Sequence, residues 1–316
     1  MRKLLLAFVV IPTLALAQAY PVKPIRIVLP FGPGGVADIT TRTIAPKLSD
    51  ALGQQVIVDN MPGAGGIRAS ETVAHAAPDG YTLLLLTNGN AVSQALFKSL
   101  PYDPVNDFAM ISTVGYFSMV LVTSPQSSAK TLKDFIATAK ANPGKLNIGT
   151  ITPGGTQHLA GELFRSTAGI DAVVVPHKTT GEVLVATLNG TVDLAVDFIA
   201  PLISSIQSGQ LRALAVTAGK RFPGLPEVPT VIEAGVPGYD VASWNALAAP
   251  AKTPRPIIDR VHDALTKALA APDVQKRFAE LGVEGRASTP GELKDFYAAE
   301  MKRWTRVVER AKIPKQ

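Results

Sequence analysis

The stretch IRIVLPFGPGG at residues 25–35 decides the fold, because a short apolar run leads directly into a turn that contains three glycines. Ile25 to Leu29 has the length and the β-branched content of a buried strand. Val36 to Leu52 then carries apolar residues at helical spacing, and Pro46 is expected to end or kink this helix. The sequence therefore predicts a strand, a glycine turn and a helix in succession.

The same order of elements recurs along the chain. Gln55 to Val58 indicates a second strand, NMPGAGG at 60–66 a second glycine turn before a helix through Ala76, and Tyr81 to Leu86 a third strand. A second series follows, with strands predicted at 146–149, 172–175 and 192–196 and helices at 131–141, 155–166 and 181–189. Strands that alternate with helices are typical of an α/β fold with a parallel sheet flanked by helices.

The chain is expected to pass twice between two domains. Leu211 to Thr217 adds a strand to the second series, and Val241 to Ala248 returns toward the first. The helical segments 257–269, 272–281 and 290–311 offer no strand of their own, so we expect them to pack on the first domain. The predicted limits are 20–121 with 244–316 for domain 1 and 122–243 for domain 2, with a hinge near Val122 and Ser243 and a ligand cleft between the domains.

The amino terminus has the pattern of a secretory signal peptide. A basic start at Arg2 and Lys3 precedes an apolar run, and cleavage is expected near Ala17 or Ala19, which gives a leader of residues 1–19. A membrane anchor is the alternative, but this run of about 13 residues is short of the roughly 20 that span a bilayer. With no cysteine among 316 residues, the sequence favours a protein of the bacterial periplasm.

Composition and charge argue against nucleic acid as a binding partner. The chain is 47% hydrophobic and 18% charged, and its formal net charge of +6 includes the leader residues Arg2 and Lys3. The basic residues near the carboxyl terminus alternate with Glu300 and Glu309, which is typical of a solvated helix face. We therefore expect no nucleic acid as a partner.

Glycine turns between a strand and a helix are candidate anion sites. A helix start leaves its first N–H groups unpaired and carries a partial positive charge, and glycine lets an anion approach the backbone. The segments 32–35, 63–66 and 154–156 have this placement. The alternative for any one turn is that glycine serves only a left-handed backbone conformation.

Enzyme motifs are missing from the sequence. Residues 63–68 begin like a dinucleotide-binding turn but end in Arg68, and no phosphate-binding loop, zinc-protease or nucleophile-elbow motif is present. The four histidines, His75, His158, His177 and His262, form no pair at metal-ligand spacing. We therefore expect no catalytic residues, no metal and no cofactor.

Two aspartates and three aromatic residues are further candidates. Asp38 lies in the first turn of the first helix, where it either caps the helix or serves the site. Asp197 ends an apolar strand, so it needs a donor from the ligand, a bound water or a local turn. Phe31, Phe198 and Trp244 either wall the pocket or belong to the core.

The chain resembles the Bug family of substrate-binding proteins of tripartite tricarboxylate-type transporters. The resemblance rests on ordered matches along the mature chain: YPVKPIR at 20–26, PFGPGG with Asp38, NMPGAGG at 60–66, PDGYT at 78–82, LPYDP at 100–104, GTQHLAGE at 155–162, LRALAVT at 211–217, PEVPT at 226–230, and Trp244 with Pro250 and Thr253-Pro254.

The resemblance implies a type II periplasmic-binding-protein fold and a carboxylate held between loops 31–38 and 152–158. It maps the cleft acid of the family onto Asp197. The candidate ligand-binding residues are Phe31, Gly32, Gly34, Gly35, Asp38, Asn88, Thr152, Gly154, Gly155, Thr156, His158, His177, Asp197 and Phe198. The chain departs from the family at His177 (commonly Tyr), Thr179 (Gly), Phe198 (often Asn) and Ser93-Gln94 (Asn-Pro), which bears on the far side of the pocket.

The predicted function is capture of a small organic carboxylate by a monomeric binding protein and its delivery to integral-membrane transporter subunits. Two alternatives stay open at this point. One is an exported lyase or hydrolase on a similar two-domain scaffold. The other is a sensor that presents the ligand to a membrane receptor.

Overall fold

The computed structural model describes residues 20–151, 155–311 and 313–315, apart from the side chain of Ala64. The predicted leader, residues 1–19, lies outside this range, as do Thr152 and Gly154 in the segment of the third glycine turn. Among the described residues, no helix has the length and the apolar content needed to cross a membrane.

Strands and helices alternate through most of the described chain. The strands are β1 (Ile25–Leu29), β2 (Val56–Asn60), β3 (Thr82–Thr87), β4 (Phe108–Thr123), β5 (Asn147–Ile151), β6 (Val173–His177), β7 (Leu194–Phe198), β8 (Arg212–Val216), β9 (Ala242–Pro250) and β10 (Val283–Gly285). The helices are α1 (Val36–Leu52), α2 (Ile67–Ala74), α3 (Asn88–Leu96), α4 (Leu132–Ala141), α5 (Thr156–Thr167), α6 (Thr180–Leu188), α7 (Ile199–Gln207), α8 (Arg255–Ala270), α9 (Pro272–Glu280) and α10 (Pro290–Arg310).

Each half of the structure contains three parallel strands. In the first unit β1 pairs in parallel with β2 and β3, and the antiparallel strands β9 and β4 continue the sheet from β3. In the second unit β5 pairs in parallel with β6 and β7, and β4 lies antiparallel to β7 and β8. Helices pack on both units, as the alternation of elements predicts.

The long strand β4 belongs to both units. Its residues up to Ser118 pair with β9, whereas from Met119 onward β4 pairs with β7 and β8. The chain crosses back from the second unit to the first between residues 241 and 242, which we call the return crossing. The Val241 N–H donates to the Thr217 carbonyl of the second unit, whereas Ala242 pairs with Ser118 of β4. Both segments thus change their pairing partners a few residues before the predicted hinge positions, Val122 and Ser243.

The structure corrects three details of the sequence analysis, the first and the third of them only in part. Helix α1 continues through Pro46, because the hydrogen bond that proline removes is offset by burial of Ile44, Leu48 and Leu52. A short strand, β10, does occur among the last helices and pairs with β4 at Gly115–Phe117. Helix α10 packs not only on the first unit but also against α5 of the second.

The buried carboxylate of Glu300 connects α10 to β9 next to the return crossing. Glu300 accepts hydrogen bonds from the indole N–H groups of Trp244 at 3.1 Å and Trp304 at 3.0 Å, and it lies 3.3 Å from the Arg303 guanidinium. Arg303 also donates to the backbone carbonyl of Asp240, just before the crossing. Trp244 is therefore part of the core and is not a pocket wall.

We predict that Glu300→Ala lowers the free energy of unfolding by about 2 to 4 kcal/mol, because two buried indole donors lose their acceptor. The matched control is Glu309→Ala on the exposed side of the same helix, with a change below about 0.5 kcal/mol. Chemical denaturation followed by tryptophan fluorescence measures both variants, since Trp244 and Trp304 are the two tryptophans of the chain. Equal stability of the two variants would contradict the role of Glu300.

Candidate functional site

The first glycine turn ends at the start of α1 without a side-chain cap. Gly35 is the N-cap residue, with φ −78° and ψ 167°. A Cβ placed on Gly32, Gly34 or Gly35 would meet nothing within 4 Å, so the space beside the turn is open. Gly34 has a φ of +88°, so glycine is needed there for its backbone conformation as well. Phe31, 44% exposed, stands at the edge of this turn.

Asp38 holds this turn in shape. Its carboxylate, 3% exposed, accepts hydrogen bonds from the Gly34 N–H at 3.0 Å, from Arg42 Nε at 2.9 Å and from Asn60 Nδ2 at 3.0 Å. Asn60 Nδ2 also donates to the Phe31 carbonyl at 2.9 Å, and Arg42 donates to Asn60 Oδ1 at 2.9 Å. The Gly34 N–H is thus used within the protein, and Asp38 supports the turn.

The charge of Asp38 is stabilised by these donors. Desolvation raises the pKa of the Asp38 carboxyl, but the hydrogen bonds from Arg42, Gly34 and Asn60 and the charge of Arg42 outweigh it, so the pKa lies below its ordinary value. Asp38 is therefore ionised at neutral pH and paired with Arg42.

The middle glycine turn, at 63–66, is a packing turn. Gly65 and Gly66 have φ of +60° and +71°, and a Cβ on Gly65 would come within 2.5 Å of the Phe97 ring. A Cβ on Gly66 would lie 3.0 Å from Pro30. The requirement for glycine at this turn is explained by backbone conformation and close packing, which was the alternative considered for it.

The N-cap of α5 in the second unit has nearly the same conformation as the N-cap of α1. Gly155 is the N-cap residue of α5, with φ −70° and ψ 166°, and it too has no side-chain cap. Thr156 is the first helical residue, and Gln157 and His158 follow in the same turn. Burial lowers the pKa of the His158 imidazole, against a smaller opposing effect of Glu162, so His158 is neutral at pH 7.

Asp197 has its partners within the second unit. The carboxyl group, 1% exposed, accepts from Thr180 Oγ1 at 2.7 Å, from the Phe198 N–H at 2.7 Å and from Gln157 Nε2 at 3.2 Å. It therefore ties the end of β7 to the starts of α5 and α6. Burial raises the pKa of Asp197, and the three hydrogen bonds offset this only in part.

A hydrogen bond joins the two units at the strand ends. Asn88, the first residue of α3, donates from Nδ2 to Thr156 Oγ1 at the start of α5, at 3.2 Å. Asn88 is 1% exposed, and its Oδ1 has no hydrogen-bond partner among the described residues. This contact brings the predicted residues Asn88 and Thr156 together.

Four of the residues at which the chain departs from the family pattern lie in different environments. Thr179 caps α6 by accepting from the Glu182 N–H at 3.2 Å, and His177 lines a groove along α6 beside it. Phe198 contacts Phe117 edge to face, with ring centroids 6.3 Å apart. Ser93 is buried inside α3 and donates to the Asn90 carbonyl, so it belongs to the packing of that helix.

Candidate metal ligands do not cluster in the described part of the chain. Residues 20–151, 155–311 and 313–315 contain no cluster of three or more His, Asp or Glu side chains suited to a metal ion. The polar groups at the strand ends include backbone amides, hydroxyls and carboxamides, together with the carboxyl groups of Asp38 and Asp197 and the imidazole of His177.

Comparison with known proteins identifies the family. Residues 40–313 match the family described as "Tripartite tricarboxylate transporter family receptor". The chain belongs to this receptor family. The protein BugT of Bordetella pertussis is 37% identical over 92% of this chain and 90% of its own length, which confirms the predicted relation to Bug proteins.

Solved structures of related receptors share the fold. The periplasmic binding protein BugD aligns with a TM-score of 0.81 at 32% identity, covering 94% of this chain and 100% of BugD. Rpa4515 of R. palustris, determined with adipate, gives 0.83 at 32% identity over 94% and 100% of the two chains. MatC of Rhodopseudomonas palustris, with bound malate, gives 0.79 at 33% identity over 92% and 100%. The predicted α/β periplasmic-binding-protein fold is confirmed.

We predict that Asp38→Asn destabilises the protein by about 1 to 2 kcal/mol at pH 7, because the charged pair with Arg42 is lost. Since the pKa of Asp38 is depressed in the folded state, its contribution is present above the ordinary value and is lost as pH falls below about 4. Thermal unfolding from pH 7 to pH 3 should show the wild-type advantage shrinking. An advantage that is constant with pH would contradict the role of the charge.

Asp197→Asn should give the opposite pH dependence. The pKa of Asp197 is raised in the folded state, so wild-type stability declines relative to Asp197→Asn as pH rises from about 4 toward 7. Because the carboxyl group serves Gln157, Thr180 and the Phe198 amide, selectivity among carboxylates should stay within about two-fold, or ~0.4 kcal/mol. Thermal unfolding and calorimetric titration measure the two effects. A large change in selectivity would restore Asp197 as a ligand contact.

Proposed function

We propose that this receptor captures a small organic carboxylate in the cleft between its two units, in the periplasm, and delivers it as a monomer to integral-membrane transporter subunits. Family membership supports transport, and adipate and malate are carboxylates that accompany the related structures. The basic and apolar leader at residues 1–19 supports export.

The observation that carries the proposal is the pair of glycine N-caps. Gly35 and Gly155 have nearly the same extended conformation, and both begin a helix without a side-chain cap. Thr131, Thr179 and Thr289 cap α4, α6 and α10 with their hydroxyls. Helices α2, α7, α8 and α9 also lack a side-chain cap, but none of them begins at a glycine in the extended conformation. A helix start that no side chain covers offers its N–H groups and its positive dipole end to an anion.

Backbone groups supply the positive potential in this proposal. Arg42, the basic residue beside the first turn, is paired with Asp38, and neither loop 31–38 nor loop 152–158 contains Lys or Arg. A carboxylate would then be held by N–H groups, hydroxyls and carboxamides. Such a site accommodates carboxylates of several shapes, because no guanidinium fixes one bidentate geometry.

The chain passes between the two units at two points, and rotation of the backbone at these points would close the cleft. We place the hinge where β4 and the segment before β9 change partners, at 118/119 and 241/242, which refines the predicted domain limits of 121/122 and 243/244. A change of backbone angles at two such points moves the units as rigid bodies. We propose a binding role without catalysis, so a bound acid should be recovered chemically unchanged.

We predict that Gly35→Val and Gly155→Val each weaken binding of malate or adipate by ten-fold or more, about 1.4 kcal/mol. The added side chain would enter the space beside the helix start, while the φ of −78° and −70° suits any residue. Isothermal titration calorimetry measures the affinity.

The matched control for these two variants is Gly291→Val in α10, where an added Cβ meets open space, as it does at Gly35. It should bind as the wild type does. Unchanged affinity in both Gly35→Val and Gly155→Val would remove the helix starts from the site.

A further inference from the structure

Unsatisfied polar atoms gather at one end of the sheets. Among the described residues, seven buried side-chain atoms have no hydrogen-bond partner. Four of them belong to Asn88, Thr150, His177 and Asn245, which lie at or beside the carboxyl ends of β3, β5 and β6. Buried polar groups normally find partners, so such a concentration points to a ligand at this edge.

Asn88 is the residue of this group that lies between the two units. Its Nδ2 is 3.2 Å from Thr156 Oγ1, so the carboxamide sits at the contact between the starts of α3 and α5. The Oδ1 of the same carboxamide is a buried acceptor without a donor. A carboxylate cannot satisfy it, because a carboxylate only accepts hydrogen bonds. The group that meets Asn88 Oδ1 must donate one.

Asn245 supplies the complementary atom. It pairs with Thr87, the residue before Asn88, and is 3% exposed with Nδ2 unpartnered. Side chains alternate along a strand, so Asn245 shares a sheet face with Leu247, and Val36 at the start of α1 packs against the apolar cluster on that face. Thr87, the strand partner of Asn245, directly precedes Asn88, so a buried donor and a buried acceptor belong to neighbouring positions at the carboxyl end of β3.

Resting on the function proposed above, we propose that Asn88 and Asn245 select a carboxylate that also carries a hydroxyl group. The hydroxyl donates to Asn88 Oδ1 and accepts from Asn245 Nδ2, while the helix starts hold the carboxylate. A hydroxyl is the simplest group that both donates and accepts, and it matches a pair of neutral carboxamides.

An ammonium group fits these surroundings less well. It needs a carboxylate nearby to offset its buried charge. Asp38 is already paired with Arg42, and Asp197 accepts three hydrogen bonds within its own unit. Asn88 and Asn245 are uncharged. The polar atoms of the site therefore favour a hydroxy acid over an amino acid.

The test compares acids that differ in a single hydroxyl. The full-length mature protein is titrated calorimetrically with lactate and propionate, malate and succinate, and 4-hydroxybenzoate and benzoate, with aspartate as the ammonium counterpart of malate. For the pair that binds, the hydroxy acid should bind at least about ten-fold more tightly, which is ~1.4 kcal/mol. Aspartate should bind more weakly than malate.

Two kinds of variant assign the preference to the carboxamides. Asn88→Ala and Asn245→Ala should each reduce the ratio between hydroxy and deoxy acid to below about three-fold, or ~0.65 kcal/mol. Thr156→Val removes the partner of Asn88 Nδ2 but leaves Oδ1, so it should weaken both acids and keep their ratio. Circular dichroism and thermal unfolding check that each variant is folded, and the wild-type ratio decides even if one variant is not.

The outcomes separate this inference from the proposed function. Equal affinity for hydroxy and deoxy acids, tighter binding of aspartate than of malate, or a ratio that survives both asparagine variants would overturn the inference and leave carboxylate capture standing. Binding of none of the seven acids would contradict carboxylate capture itself.

Discussion

Two helices that begin at uncapped glycines are the constraint on which the rest of the site depends. A helix start must satisfy its first N–H groups, and at Gly35 and Gly155 no side chain of the N-cap residue does so. A parallel strand order brings both helix starts to the same edge of the structure. The fold thereby provides one uncapped helix start in each unit, and we propose that these two starts bind the carboxylate.

Each turn is supported by one buried aspartate, and the two aspartates differ in their electrostatics. Asp38 has a cation, Arg42, and stays ionised with a depressed pKa. Asp197 has three neutral donors, and burial raises its pKa. A carboxylate at Asp197 that is less readily ionised repels an anionic ligand less than a free carboxylate would. We propose that both residues act on the ligand through the backbone that they position.

Local sequence signals predicted most elements because apolar runs and glycine turns are local features. Strands such as β1 and β7 fall within two residues of their predicted limits. Helix α3 was missed because the segment NGN at 88–90 indicates a turn, whereas Thr87 and Asn90 form a capping box there. The first half of β4 was missed because its partner β9 is far away in sequence, and strand pairing over such a separation leaves no local pattern.

Site residues were predictable only where the signal was local. The glycine turns, Asp38 and Asp197 could be found from local sequence, and the family resemblance pointed to Asp197 as well. The partners of Asp197, Gln157 and Thr180, come from separate helices, so its supporting role follows only from the folded chain. Asn245 was missed, although an asparagine inside the apolar run WNALAAP was a signal that could have found it.

A crystal structure of the mature protein with a bound carboxylate tests the central claim most directly. The account predicts carboxylate oxygens within about 3.2 Å of backbone nitrogens in the first turns of α1 and α5, with no Lys or Arg side chain in contact. A carboxylate held by a guanidinium or ammonium group, or bound away from Gly35 and Gly155, would contradict it.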